Sequence, residues 1–156
     1  MSIVVTGATG QLGRLAVEAL LSRGVPAEQI VATGRRVEAI ADLQDRGVTV
    51  RRADYTDPES LRAAFAGAEK VLLVSSSEVG QRLPQHGNVI AAAKDAGVRL
   101  IAYTSIPKAD TSTLLLAAEH KATEQLLAES GVPHVVLRNG WYIENYTGQQ
   151  IGRAHV

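Results

Sequence analysis

The sequence contains no cysteine at all. Disulfides, thiolate catalysis and cysteine-ligated zinc are therefore excluded within this chain, and we expect a reducing compartment. The 16 Lys and Arg residues balance 16 Asp and Glu residues. Without excess basic charge, we expect no nucleic-acid partner. No apolar run approaches the roughly 18 residues that span a membrane, and the segment MSIVVTG lacks the features of a signal peptide. We therefore expect no membrane partner and a cytoplasmic location.

What remains is the composition of a globular domain, with 46% apolar and 21% charged residues in a chain of 156. Short β-branched runs predict strands at Ile3–Val5, Ile30–Thr33, Val48–Arg51, Val71–Val74, Leu100–Tyr103 and Val135–Leu137. Amphipathic stretches between them predict helices at Leu12–Leu21, Val37–Gln44, Pro58–Ala64, Pro84–Ala96 and Leu114–Ser130. This alternation predicts an α/β fold with a parallel sheet. Six strands suffice for the doubly wound Rossmann order 3-2-1-4-5-6.

Several helix ends carry recognisable capping residues. Asp57 can cap a helix whose first position is Pro58, where proline is favoured. Gly97 and Gly131 directly follow two of the predicted amphipathic helices and can adopt the left-handed conformation that ends a helix. These residues support the helix boundaries.

A glycine loop, VVTGATGQLG, follows the first strand and opens the first helix. Its glycines allow a sharp turn at Gly7, close approach of a pyrophosphate to the helix N-terminus at Gly10, and close packing at Gly13. The alternative is a glycine-rich βα turn without a ligand. The position of the loop at the first strand–helix junction favours a dinucleotide site.

The end of the second strand decides which dinucleotide is bound. An NAD site usually has an acidic residue about twenty residues beyond the glycines, where it binds the ribose 2′-hydroxyl. Here the segment IVATGRRVE places Arg35 and Arg36 after the strand instead. A guanidinium group suits a 2′-phosphate, which favours NADPH. The alternative is two solvated arginines at the start of a helix.

Four motifs, TGATGQLG, SSSEVGQR, IAYTS and LRNGWYIENY, occur in this order and spacing. Together they resemble the type 2 bacterial NADPH:quinone oxidoreductases, which belong to the NmrA-like, atypical branch of the short-chain dehydrogenase/reductase superfamily. The resemblance extends from Ile3 to about Tyr146. It implies an NADPH-binding Rossmann domain that reduces a quinone without a flavin.

The resemblance also implies the cofactor-binding residues. The glycine-loop residues Gly7, Ala8, Thr9, Gly10, Gln11 and Leu12 would surround the pyrophosphate, and Arg35 would hold the 2′-phosphate. Ser75, Ser76 and Ser77 would line the cofactor. Asn139, Gly140, Trp141, Tyr142, Ile143 and Glu144 would close over the nicotinamide.

Polar residues just past the predicted strand ends agree with this assignment in part. Ligands of open α/β sheets bind beyond the carboxyl ends of the strands, where Ser75–Ser77, Thr104–Ser105 and Arg138–Tyr142 are expected. The alternative is that the serines are ordinary polar loop residues and that Trp141 and Tyr142 are core aromatics. Because aromatic residues make up only 4% of the chain, two at one strand end favour a site.

Known catalytic patterns are absent. No tyrosine is followed four residues later by lysine, so the usual proton-transfer pair of short-chain dehydrogenases is missing and no catalytic residue is assigned. In AEHKATEQLL, His120 and Glu124 lie one helical turn apart, but without a third ligand nearby we expect a solvated helix face or a helix-capping network rather than a metal site. We expect the other histidines, His86, His134 and His155, to form no cluster.

The last six residues, Ile151–Val156, have no apolar period, cap or turn signal. They match one reading-frame translation of a common sequencing adapter, so we expect a non-native tail; the alternative is a natural short paralogue. Members of the family that the motifs resemble continue well beyond NGWYIENY. We therefore expect residues 1–150 to be the N-terminal part of a longer protein whose substrate-domain portion is missing. The alternative function is an NmrA-like redox sensor that binds NADP(H) without turnover.

Overall fold

The β-branched runs form six strands, and the computed structural model describes them within residues 2–140. They are β1 (Ile3–Val5), β2 (Ile30–Gly34), β3 (Thr49–Arg52), β4 (Lys70–Leu73), β5 (Leu100–Ser105) and β6 (His134–Arg138). All neighbouring strands pair in parallel, in the order β3-β2-β1-β4-β5-β6. The predicted doubly wound order is confirmed. The proposed tail, Ile151–Val156, lies outside the described residues.

The helices that connect the strands are α1 (Gln11–Ser22), α2 (Ala41–Asp45), α3 (Pro58–Phe65), α4 (Arg82–Asp95) and α5 (Leu115–Ser130). The prediction of one helix over Val37–Gln44 is wrong, because a 3₁₀ turn at Val37–Ile40 precedes the short α2. Ile40 has φ −123° and ψ 21°, which interrupts α-helical geometry and lets both Ile40 and Leu43 reach the core. No helix in the part of the chain described here is long and apolar enough to cross a membrane.

The sheet separates two apolar clusters, because successive residues of a strand point to opposite faces. On one face, Val4 of β1 packs in a cluster with residues of α3, α4 and α5. On the other, Val5 packs with Val17 of α1 and Leu43 of α2. The helices before and after β3 therefore cover opposite faces, as a doubly wound sheet requires.

The predicted helix caps are present. The Asp57 side chain accepts a hydrogen bond from the Ser60 backbone N–H at 3.3 Å, with Pro58 in the first turn of α3. Gly97 and Gly131 have φ angles of 71° and 76°, the left-handed conformation that ends α4 and α5. An N-cap such as that of Asp57 contributes about 1 kcal/mol to helix stability.

The strand order reverses between β1 and β4, which are neighbours at the centre of the sheet. After β1 the chain enters α1 on one face, and after β4 it enters α4 on the other. The two connections diverge and leave a crevice beyond the carboxyl ends of the strands. In open α/β sheets this crevice is the usual ligand site.

The turn from β1 into α1 depends on two glycines. Gly7 has a φ of 61°, which other residues rarely adopt. A Cβ atom on Gly13 would lie 2.2 Å from the Gly7 carbonyl oxygen, so only glycine allows α1 to pack against the turn. A Cβ atom on Gly10 would contact only the Gly7 carbonyl oxygen, at 3.5 Å. Folding therefore requires glycine at positions 7 and 13, whereas position 10 has room for a side chain.

Candidate functional site: a crevice at the strand ends

A cavity of about 250 Å³ opens at the carboxyl ends of β1, β2, β3 and β4. It lies where the strand order reverses and where α1 begins. Its wall is formed by Gly7, Thr9, Gly10, Gly34, Arg35, Ala53, Asp54, Tyr55, Val74, Ser75, Ser76, Ser77, Glu78 and Gln85.

Seven of the predicted site residues meet in this cavity: Gly7, Thr9, Gly10, Arg35, Ser75, Ser76 and Ser77. The other three predicted residues of the glycine loop do not line the cavity. The Ala8 side chain is fully buried beneath the turn, and Gln11 and Leu12 begin α1 just beyond the cavity wall. Their expected contact with a ligand would therefore be made by the backbone.

The residues predicted near the nicotinamide lie at the end of β6 and beyond it. Asn139 donates its backbone N–H to the carbonyl oxygen of Ser105, the last residue of β5, at 3.1 Å. Neither Asn139 nor Gly140 lines the cavity. Trp141, Tyr142, Ile143 and Glu144 lie outside the described residues.

The floor of the cavity is a polar contact that joins three strand ends. The Tyr55 hydroxyl, just after β3, lies 2.6 Å from Thr6 Oγ1 and 2.7 Å from the Val74 carbonyl oxygen. Thr6, which follows β1, in turn accepts the Val74 backbone N–H at 3.0 Å. Burial raises the pKa of the Tyr55 hydroxyl, so the phenol stays neutral and fixes the spacing of the strand ends.

Asp54 and Tyr55 are cavity residues that the sequence interpretation did not identify. Asp54 accepts hydrogen bonds from the backbone N–H and the hydroxyl of Thr56, at 2.8 and 2.7 Å. These bonds, the backbone one foremost, lower the pKa of the Asp54 carboxyl. Both residues lie within three positions of the end of β3, so the strand-end rule that selects the serines also selects them.

The mouth of the cavity carries a weak ion pair between its two sides. The Arg35 guanidinium, which follows β2, lies 3.4 Å from a Glu78 carboxylate oxygen of the loop after β4, and the Arg35 side chain is 67% exposed. Glu78 also accepts a hydrogen bond from the Gln85 side chain at 3.2 Å. An exposed pair of this kind contributes little stability, so Arg35 remains available to an anionic ligand.

The prediction of a solvated helix face around His120 is wrong. His120 is buried, and its Nδ1 lies 2.5 Å from the Tyr103 hydroxyl of β5. Glu124 makes an ion pair with Arg138 at 2.8 Å instead of facing His120. Within residues 2–140 there is no group of three potential metal ligands. His120 is accommodated on this buried face of α5 because it gives the buried Tyr103 hydroxyl a hydrogen-bond partner.

The expectation that His86 joins no cluster is also wrong. Its ring contacts Tyr103 edge-on, with centroids 5.4 Å apart, and the Tyr103 and His120 ring centroids are 5.8 Å apart. Burial lowers the pKa of His86 to about 3 and that of His120 to about 4. Both imidazoles are therefore neutral at pH 7, and both belong to a buried polar layer between the sheet, α4 and α5.

The fold and the crevice are those of a dinucleotide-binding protein, and comparison with known families agrees. The profile of a family described as NAD(P)H-binding matches residues 7–155. The chain belongs to this NAD(P)H-binding family.

Individual relatives extend the comparison. The chain is 58% identical to quinone oxidoreductase 2 of Escherichia coli over 92% of its own length and 50% of the relative's. The structure of an E. coli NADPH-dependent quinone oxidoreductase with NADPH superimposes with a TM-score of 0.89 at 56% identity, over 96% of this chain and 53% of that one. A Citrobacter triphenylmethane reductase complexed with NADP(H) gives 0.90 at 45% identity, over 96% and 54%.

These comparisons confirm the family resemblance that the four sequence motifs indicated. They also show that this chain spans about half the length of the relatives that it matches.

The buried histidines predict a loss of stability in acid. Unfolded histidine has a pKa near 6.5, well above the values of about 3 and about 4 in the folded chain. Between about pH 6.5 and 4 the unfolded state therefore binds more protons, and the free energy of unfolding falls as pH falls, by up to about 1.4 kcal/mol per pH unit for each histidine. Urea unfolding from pH 4.5 to 7.5 measures this slope.

The control is His86→Gln, which removes one titrating group but keeps a donor and an acceptor. We expect its stability to fall less steeply with acid than that of the wild type, by up to about 1.4 kcal/mol per pH unit. Parallel curves for the two proteins would contradict the assignment of His86 as a buried neutral imidazole.

Proposed function

We propose that this chain is the cofactor-binding half of an NADPH-dependent quinone oxidoreductase, which transfers a hydride from NADPH to a quinone without a flavin. The observation that carries the proposal is the meeting of the glycine loop, Arg35 and Ser75–Ser77 in one crevice at the reversal of strand order. The 58% identity with quinone oxidoreductase 2 favours a quinone as the acceptor.

The pyrophosphate of the cofactor would bind at the start of α1. Gly10 is the N-cap residue of α1, and as a glycine it has no side chain to cap the N–H groups of the first turn. The backbone N–H groups of Gln11 and Leu12 lie in that turn, where an α-helix leaves them without intrahelical acceptors. Together with the helix dipole they suit an anion. Gln11 and Leu12 would thus bind the cofactor although their side chains lie outside the cavity.

The 2′-phosphate would be held by Arg35. This guanidinium stands at the mouth of the cavity, and its partner Glu78 lies 3.4 Å away, a contact that a phosphate can replace at small cost. The residues directly after β2 are Arg35 and Arg36, where an NAD site usually has an acidic residue for the 2′-hydroxyl. These features favour NADPH over NADH.

Proton transfer through a tyrosine is not supported among the described residues. Burial raises the pKa of both Tyr55 and Tyr103, whereas a catalytic phenol needs a lowered pKa. A quinone does not require such a group, because hydride addition gives a stabilised hydroquinone anion that water can protonate. Catalysis would then rest on holding the cofactor and the quinone in reacting geometry.

The same lack of an activated tyrosine in residues 2–140 is equally compatible with a second candidate, an NADP(H)-binding redox sensor without turnover. NADPH oxidation with a quinone separates the candidates when it is measured on a full-length relative that carries the same motifs. Absence of turnover in that relative, with NADPH bound, would favour the sensor.

For this chain alone we expect weak NADPH binding and quinone reduction far below that of quinone oxidoreductase 2 measured alongside. The chain spans half of that relative, and hydride transfer needs both reactants held in place. Absorbance at 340 nm follows NADPH loss. Turnover equal to that of the relative would contradict the proposal that the reacting geometry needs more than this half.

The role of Arg35 predicts a change in cofactor choice. Arg35→Ala should weaken NADPH binding about ten- to a hundredfold, the worth of a hydrogen bond to a charged group, and leave NADH binding nearly unchanged. Arg35→Glu should go further, because its carboxylate repels the phosphate but accepts from the 2′-hydroxyl of NADH. Dissociation constants for both cofactors at fixed salt measure the effect.

The double variant of Arg35 and Arg36 to alanine serves as the control, since Arg36 adjoins the site. An equal loss of NADPH and NADH affinity in this variant would mean that the arginines support the fold and do not bind the 2′-phosphate.

A further inference from the structure

The loop from Ser75 to Gln81 connects β4 to α4 and forms one wall of the crevice. Its apolar side chain, Val79, is 59% exposed, so apolar packing does little to fix its shape. Its backbone is held at Ser75 by Thr104 of β5, which accepts the Ser75 N–H at 2.8 Å. Three further side chains, from α4 and α5, hold Ser76 and Gly80; two of them are buried and one is half-buried. We name these three residues, Arg82, His86 and Glu119, the loop clamp.

His86 is fully buried and holds the start of the loop. Its Nε2 accepts the Ser76 backbone N–H at 2.9 Å, and its Nδ1 lies 2.9 Å from Thr123 Oγ1. The Thr123 hydroxyl donates its own proton to the Glu119 carbonyl oxygen at 3.0 Å, so Oγ1 must accept from Nδ1. The network therefore selects the neutral imidazole that is protonated on Nδ1 and bare on Nε2.

Arg82 and Glu119 hold both ends of the loop. Arg82 donates from Nε to the Ser76 carbonyl oxygen at 2.6 Å and from its terminal nitrogen to Glu119 at 2.8 Å. The other carboxylate oxygen of Glu119 accepts the Gly80 backbone N–H. The two side chains are only 10% and 14% exposed. Burying an ion pair carries a desolvation cost that offsets its attraction, so the pair adds little to stability. Its hydrogen bonds instead fix the local geometry.

We propose that the loop clamp positions the loop after β4 for the cofactor, with His86 as an obligatory hydrogen-bond acceptor in its Nδ1-protonated form. Arg82, His86 and Glu119 do not themselves line the cavity; they are positioning residues that act through the backbone of Ser76 and Gly80. This inference rests on the proposed function, namely that the crevice binds NADPH.

Two substitutions of His86 test the acceptor. His86→Phe fills the ring volume but leaves the Ser76 N–H without an acceptor, and we expect it to weaken NADPH and NADH binding alike, about three- to tenfold or more. His86→Gln can accept from Ser76 and donate to Thr123, and should restore binding to within about twofold of the wild type. His134→Gln, a histidine of β6 outside the clamp, should change neither affinity.

Thr123→Val tests the choice of tautomer without touching the loop. Valine keeps the side-chain shape but removes the acceptor for the Nδ1–H of His86. The Nε2-protonated tautomer, which cannot accept the Ser76 N–H, then competes with the Nδ1-protonated one. The ¹⁵N shifts of the His86 ring should move away from a pure Nδ1-protonated form, and NADPH affinity should fall about threefold or more. This readout separates positioning from a general loss of stability.

The possible results decide between the claims. If the wild type does not bind NADPH, the proposed function fails and the clamp proposal fails with it. If the wild type binds, but folded His86→Phe binds equally well, the clamp proposal alone is overturned. If His86→Phe does not fold, Thr123→Val decides: an unchanged tautomer or an unchanged affinity overturns the proposal, and a joint change supports it.

Discussion

The site depends on one close approach, the packing of α1 against the turn that ends β1. A methyl group at Gly13 would stand 2.2 Å from the Gly7 carbonyl oxygen, and that oxygen belongs to backbone that the sheet holds in place. The missing side chain at position 13 thus lets the helix begin at the mouth of the crevice. The N–H groups and the positive dipole end of α1 then face the space where the strand order reverses.

The opposite wall of the crevice is built by different means. The loop after β4 has little apolar packing and is held by hydrogen bonds between its backbone and the side chains of Arg82, His86 and Glu119. The two walls therefore respond to different perturbations. Backbone geometry defines the glycine loop, whereas the proposed loop clamp makes the shape of the second wall depend on the tautomer of His86.

Between the walls, Thr6 and Tyr55 tie together the ends of β1, β3 and β4. This contact fixes the distance between the glycine loop and the serines that follow β4. A cofactor that spans the reversal of strand order would meet a preformed site, which lowers the entropic cost of binding. Under the proposed function, these residues would bind the cofactor, and the quinone would be held by residues beyond this half of the relatives' length.

Much of this arrangement could be predicted from sequence, because its signals are local. Strand order follows from the alternation of apolar runs, and Gly7, Gly10 and Arg35 were identified from their positions relative to single strands. The contacts of His86, Tyr103 and His120 could not be predicted, since they join α4, β5 and α5 and leave no periodic or spacing signal. The break at Ile40 was missed because an amphipathic pattern does not distinguish a 3₁₀ turn from an α-helix.

The central claim is that the crevice at the strand ends is the NADPH site, and amide hydrogen exchange tests it most directly. Saturating NADPH should slow exchange in two separate segments, the start of α1 from Gln11 to Gly13 and the loop from Ser75 to Gly80. The ends of α3 and α5 that lie away from the crevice should be unaffected. Protection confined to those distant helices, or absent from the start of α1 despite saturation, would contradict the account.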